Sequence, residues 1–337
     1  MNTSAARYNW YVLVYAGIDE AGYGPMLGPL CVGLIALECA GERTEVPDLW
    51  DVCAHAVCRR PRDAGTIRIA IDDSKALKLP NSCKTRDPLA HLERGVLSCL
   101  AASHAGIIQS DVALANALSI RTSGLDWYAG SPIELPVSTT REHLSLLASR
   151  LNASLNDQQL KFSMIRCACA DERVFNTLLA QHGSKASASF CVVARLINEL
   201  CDQYANTDDA TIKLVVDRQG ARRSYADTLT RSISPRGLVI LEQSDRASVY
   251  EIETKHGQTL RILFRSKAES EHFPVALASM TAKLVRELMM RRFNRYWCDR
   301  ITELRPTAGY VTDARRWLRD TSPHISDLDR EVLIRKA

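Results

Sequence analysis

Two adjacent acids, Asp19 and Glu20, close one apolar run, and Asp217 closes another, "TIKLVV" (211–216). An acid at the carboxyl end of an apolar strand is well placed for a crevice site in an open α/β sheet. A further acid, Glu287, lies in a long helical stretch. There Ser279, Lys283, Glu287 and Arg291 recur every four residues and share one face. Leu277, Met280, Leu284 and Leu288 make an apolar stripe beside it. Hard divalent cations such as Mg²⁺ take carboxylate oxygens together with water and substrate phosphate. Two such ions about 3.5–4 Å apart can clamp the attacking and leaving oxygens of a phosphodiester. Each acid also has an ordinary reading. Strand ends surface, and surface residues are often acidic. Glu287 can form an ion pair with Lys283 or Arg291, worth about 0.3–0.5 kcal/mol.

The acids at 19 and 20 run straight into "AGYGPMLGP" (21–29), which is dense in glycine and proline. Gly22 and Gly24 keep the backbone bare on either side of Tyr23, which suits close approach of a ligand and equally suits a turn needing positive φ. The chain has eleven cysteines and no CxxC pair. Cys167 and Cys169 form a CxC that on a strand would point both thiols to one face. Zinc calls for a second pair at suitable spacing, and none is visible. The thiols therefore read as buried and free in a reducing cytoplasm.

The elements that must mount these residues can be read from periodicity. With 337 residues, 46% of them hydrophobic, the chain can bury a large core. No apolar run is long enough for a membrane span, and the apolar N-terminal stretch ends on two acids rather than on a signal-cleavage site. Strands are expected at 10–18, 29–37, 66–71, 161–170 and 211–216, then in "GLVIL", "SVYEIE" and "TLRILF". Helices are expected after a Thr139–Glu142 capping box, from Asp171 to a stop at Gly183, over 186–204, near 221–232, and over 274–298 after Pro274. This order suggests an α/β domain with a mixed sheet. Net charge is +4. From Thr281 to Asp320 ten Lys or Arg stand against five Asp or Glu, either a solvated helix face or a phosphate-tracking surface.

Taken together and in order, these blocks resemble type 2 ribonuclease H (ribonuclease HII). The family's DEAGRGPLAGP stands here as "DEAGYGPMLGP", Asp19 to Pro29. Its DSK is Asp73, Ser74 and Lys75, and its central Asp-Gly is Asp217 followed by Arg218. Its K-G/A-D and AASIxAKVxRD correspond to "KAESEHFPVALASMTAKLVRE", with the spacing from Glu269 to Ser279 kept and Glu287 standing for the last Asp. Its GYPT is "GYVT", with Tyr310 in place. The stretch 78–160 and the hairpin near 237–257 are additions to the usual family length.

The resemblance implies a ribonuclease H-like α/β fold with a central mixed five-stranded sheet flanked by helices, its first three strands antiparallel. It implies a catalytic domain over 1–270 with an insert at about 78–160, and a long helix and helical C-terminal region over 271–337. It implies a cytoplasmic, monomeric endoribonuclease that nicks the RNA strand of RNA–DNA hybrids, including ribonucleotides embedded in duplex DNA, leaving a 3′-hydroxyl. Asp19, Glu20, Asp217 and Glu287 would hold two Mg²⁺ or Mn²⁺ ions, with Asp19 shared between them. Gly22, Tyr23 and Gly24 would read the 2′-hydroxyl through the backbone, since that group alone separates RNA from DNA at one nucleotide. Tyr310 would stack on the following sugar, and Lys75, Ser279 and Lys283 would position phosphates. The basic stretch from Arg286 to Arg319 would face the duplex. Tyr23 stands where the family has Arg or Lys. With Arg218 and Glu287 it motivates two alternatives: a weak or inactive nucleic-acid-binding relative, or a nuclease acting on another phosphodiester.

Overall fold

The computed structural model describes residues 12–41, 45–207, 210–219 and 222–336. The first two residues of the expected strand 10–18, the start of the expected catalytic domain and residue 221 of an expected helix lie outside these. Nine strands are described: β1 (Val12–Ala21), β2 (Leu30–Cys39), β3 (Val57–Cys58), β4 (Ile69–Ala70), β5 (Leu160–Ala170), β6 (Ala210–Asp217), β7 (Gly237–Gln243), β8 (Ala247–Glu253) and β9 (Thr259–Arg265). Seven of them form one sheet in the order β5-β2-β1-β6-β9-β8-β7. β2 is antiparallel to both β1 and β5, whereas β1, β6 and β9 run parallel. The expected antiparallel trio is therefore present, with β5 as its third member rather than the expected strand 66–71. The hairpin β7–β8, antiparallel to β9, widens five strands to seven. The expected strand 66–71 shrinks to β4, which pairs with β3 away from the main sheet.

Successive strand residues point to opposite faces. On β1, Leu13 and Tyr15 enter one core while Val14, Ala16 and Ile18 enter the other. A sheet covered on both sides explains why its strands read as unbroken apolar runs. The long helix Phe273–Cys298 covers the first face. It lies directly on the sheet backbone. A Cβ on Gly17 would fall 2.3 Å from the Val275 nitrogen, and one on Gly33 would fall 2.3 Å from the Ala278 oxygen. The two glycines thus set the height and register of the helix over β1 and β2. The long helix is part of the sheet's own core, although the expected domain boundary falls just ahead of it.

The helices Glu172–His182 and Lys185–Gln203 cover the second face. Asp171 caps the first and Gly183 ends it in a left-handed conformation, as the sequence predicts, and Ser184 caps the second. The segment 78–160 is helical over Ala90–Leu100, Asp111–Ala117 and Arg141–Asp157. Thr140, not Thr139, caps the last of these. The segment is tied to the long helix by a buried, two-bond pair between Arg292 and Asp111 (2.5 and 2.8 Å). Among the described residues no helix is long and apolar enough to cross a membrane.

Candidate active site

Three parallel strands deliver acids to one end of the sheet. The β1–β6 register reaches Ile18↔Val216, so Asp19 and Asp217 follow side by side at the carboxyl ends. Asp217 in turn stands opposite Arg265 on β9. Asp19 and Glu20, as neighbours on a strand, leave it on opposite faces. Asp19 is buried on the long-helix side, where it is hydrogen-bonded to Ser279, whose Oγ lies 2.9 Å from Ser74 Oγ. Glu20 faces the other layer, where Gln219 Nε2 reaches its carboxylate (3.4 Å) and Ser189 Oγ (3.0 Å). Asp217 accepts from the Ala268 amide (3.1 Å).

Residue 269 completes the group. Glu269 sits in the short turn Ala268–Ser270 that follows β9, where the charges of Asp217 and Asp73 act on it. Its buried Oε2 has no hydrogen-bond partner. Burial first, then the neighbouring acids Glu20 and Asp217, hold the Asp19 carboxyl well above its usual range. Burial and Asp217 push Glu20 up to about 7. Asp217 is raised by burial, and Glu269 by burial and then by Asp217 and Asp73. Lys75 is the nearby cation that opposes this, acting on Glu20, Asp217 and Glu269. Negative charge in this crevice therefore exceeds its compensation by protein groups, which is the electrostatic setting for a cation.

Glu287 does not join the acids. It lies eight residues beyond Ser279, about 12 Å further along the helix at 1.5 Å per residue. There it pairs with Lys283 (2.8 Å), with Arg286 at 4.0 Å. This corrects both residues: Glu287 is placed as the ordinary ion-pair partner, and Lys283 is neutralised rather than free for phosphate. The signal for Glu269 was present in "KAES", an acid just after a strand that runs parallel to β1 and β6. Gln219 and its link to Glu20 carried no such signal.

The glycine-rich loop lies beside the acids. Gly22 has φ +94°, and a Cβ there would meet Pro29 O at 2.5 Å and Arg286 Nε at 2.6 Å, so this glycine is required by its own fold. Gly24 is exposed and has nothing within 4 Å of where a Cβ would stand. Tyr23 is half-buried against the second core, with Lys185 Nζ 5.2 Å from its ring centroid. Two buried arginines hold the loop from beneath. Arg286 donates to Ala308 O (3.1 Å), and Arg335 donates to Pro25 O (3.1 Å) and Tyr23 O (3.2 Å). Gly309 O accepts from the amides of Met26 and Leu27 (2.8 and 3.2 Å), which brings exposed Tyr310 alongside the loop with Arg286 5.7 Å from its ring. Much of the expected basic surface is spent internally. Arg286 and Arg292 are buried, Arg291 pairs with Asp87, and Arg316 pairs with Asp313 and Asp320.

No family model and no curated protein sequence matches the chain. Solved structures do align with it. One is from the PCNA:RNase HII complex of Archaeoglobus fulgidus, at 15% identity and TM-score 0.43 over 96% of this chain and 93% of that one. Another is ribonuclease H2 from Pyrococcus horikoshii OT3, at 15% identity and TM-score 0.38 over 96% and 92%. A third is Bst-RNase HIII in complex with Mn²⁺, at 15% identity and TM-score 0.42 over 96% and 66%. The chain's own strand order decides the class. The fold is ribonuclease H-like. Its five inner strands run β5-β2-β1-β6-β9 with β2 alone reversed, and β7–β8 are appended beyond β9.

Proposed function

We propose that the protein is a metal-dependent endoribonuclease that cleaves the RNA strand of RNA–DNA hybrids and of duplex DNA carrying ribonucleotides. The observation that carries this reading is the convergence of Asp19, Glu20, Asp217 and Glu269 at the carboxyl ends of parallel strands, next to a bare backbone at Gly24. The donor set fits Mg²⁺ or Mn²⁺: all oxygen, under-compensated in charge, with one buried carboxylate oxygen orphaned at Glu269. Bound divalent ions would supply Lewis-acid stabilisation of the phosphodiester and a water of lowered pKa.

The remaining roles belong to the chain itself. Ser279, braced by Ser74, fixes the Asp19 carboxylate, and Gln219 fixes Glu20. Gly24 leaves its main chain open to a ribose 2′-hydroxyl. Lys185, over the Tyr23 ring, restores a cation beside a position that has lost one. Lys75 offers a charge to a phosphate in the crevice, and exposed Tyr310 offers a face to a sugar. The eleven free thiols fit a cytoplasmic setting.

The test is a nuclease assay with Mg²⁺ or Mn²⁺ on three duplexes: an RNA–DNA hybrid, DNA with one ribonucleotide, and ribose-free DNA. Cleavage of either of the first two, lost in Asp19→Asn, is the expected result. Failure on both with either metal would sink the proposal. Cleavage of the ribose-free duplex alone would shift the substrate to another phosphodiester.

A further inference from the structure

The sheet gathers three thiols that the sequence keeps apart. Cys31 on β2 stands directly opposite Cys169 on β5, and Cys167 lies two residues along the same strand, hence on the same face. The Cys31 and Cys169 sulfurs are 3.3 Å apart, and all three lie within 4.8 Å of one another. All three residues are buried. Among the described residues no other three His, Cys, Asp or Glu donors are gathered so tightly.

Packing of small apolar groups would explain the burial but not the charge around it. Arg286 and Arg335 are 1% and 3% exposed, and each keeps a buried N–H without a partner, Nε and Nη1 respectively. The acid set against Arg335 is Glu172, whose carboxylate is already engaged by the Gly28 amide (3.0 Å) and Tyr128 OH (2.9 Å). Glu287, 4.0 Å from Arg286, is shared with Lys283 at 2.8 Å, so three cations meet two carboxylates and one positive charge stays uncompensated, which is costly in a buried layer. Both arginines lie close enough to act on Cys31.

We propose that Cys31, Cys167 and Cys169 form a structural site for a thiophilic d¹⁰ metal ion, zinc(II) or copper(I). Thiolate sulfur is the donor both ions prefer. Zinc–sulfur bonds of about 2.3 Å place sulfurs roughly 3.8–4.0 Å apart, wider than the 3.3 Å Cys31–Cys169 contact and inside the 4.8 Å that encloses all three sulfurs. On binding, the three thiols release their protons to solvent. A zinc tris-thiolate carries one net negative charge, which together with Glu172 and Glu287 balances Arg286, Arg335 and Lys283. Copper(I) suits the three-coordinate donor count. The site would brace the loop above it, because Cys31 follows Pro29 by two residues and the same arginines hold the carbonyls of Tyr23, Pro25 and Ala308.

The experiment strips the full-length protein with chelator under reducing, anaerobic conditions and adds back zinc(II) or copper(I) alone. Bound metal is then counted per chain and probed by X-ray absorption. One ion per chain with sulfur neighbours is expected. It should be lost in Cys31→Ser, Cys167→Ser and Cys169→Ser and kept in Cys201→Ser, a buried thiol in the other core. The proposal is overturned if folded, fully reduced wild type takes up neither ion, or if the three serine variants hold as much as wild type. Should a variant fail to fold, the wild-type spectrum decides. Sulfur neighbours uphold the site, and oxygen neighbours alone assign the ion to the carboxylates and overturn it.

Discussion

Replacing Asp19 by Asn should stabilise the metal-free protein at pH 8 while abolishing its response to divalent ions. Asp19 is buried, and its ionisation is opposed by burial and then by Glu20 and Asp217. Glu20 sets the scale. A carboxyl raised from 4.5 to about 7 destabilises the ionised native state by about 3 kcal/mol. Asn carries no charge, so the variant recovers both the burial part and the like-charge part of such a penalty, about 3 kcal/mol. The sign follows from proton counting. A native acid with a raised pKa binds more protons than the unfolded chain, so wild-type stability falls as pH rises from about 4.5 through 7 and then levels off. The carboxamide keeps an acceptor for the Glu20 amide, now 2.7 Å from Asp19 Oδ1, so that hydrogen bond is kept. Thermal melts in EDTA between pH 5 and 9 should therefore diverge, with Asp19→Asn higher by about 2–5 °C at pH 8 and near wild type at pH 5. Added Mg²⁺ or Mn²⁺ should raise the wild-type midpoint, more at pH 8 than at pH 5, and leave the variant unmoved. An Asp19→Asn protein that melts at or below wild type at pH 8 without metal would refute the charge argument.

Glu269→Gln should cut cleavage by roughly 100-fold or more, since it removes a carboxylate from the crevice, whereas Glu287→Gln should cost less than about 10-fold; equal losses in steady-state rates would return Glu287 to the site. Gly24→Ala should leave the melting temperature unchanged, because its Cβ meets open space, and should weaken binding of ribose-containing duplex more than of DNA. Gly22→Ala should instead destabilise the fold by about 1–3 kcal/mol in urea titration, through positive φ and collision with Pro29 and Arg286. Arg335→Leu should lose about 2–4 kcal/mol by stranding the carbonyls of Tyr23 and Pro25, with the loop's amides exchanging faster with deuterium.

What the sequence determined by itself follows from local physics. Unbroken apolar runs ending on acids placed Asp19, Glu20 and Asp217 at strand ends, because a strand buried on both faces must be apolar until it leaves the core. Asp171 and Gly183 marked a helix because capping is a matter of a few adjacent residues. What local pattern could not decide was which groups meet across the chain. Glu287 has helical spacing from Ser279 and so reads as its companion, yet two turns of helix carry it away from Asp19. Glu269 lies in an irregular turn without periodicity, and only the parallel pairing of β6 with β9 brings it to the acids. The CxC at 167–169 looked incomplete for want of a second pair, until the β2–β5 register set Cys31 against it. Gly17 and Gly33 read as unremarkable strand residues, and only the tertiary structure reveals them as the contact on which the long helix rests. Short-range chemistry is written in neighbouring residues. Charge excess, orphaned donors and converging side chains belong to the sheet's order and the helix's height above it.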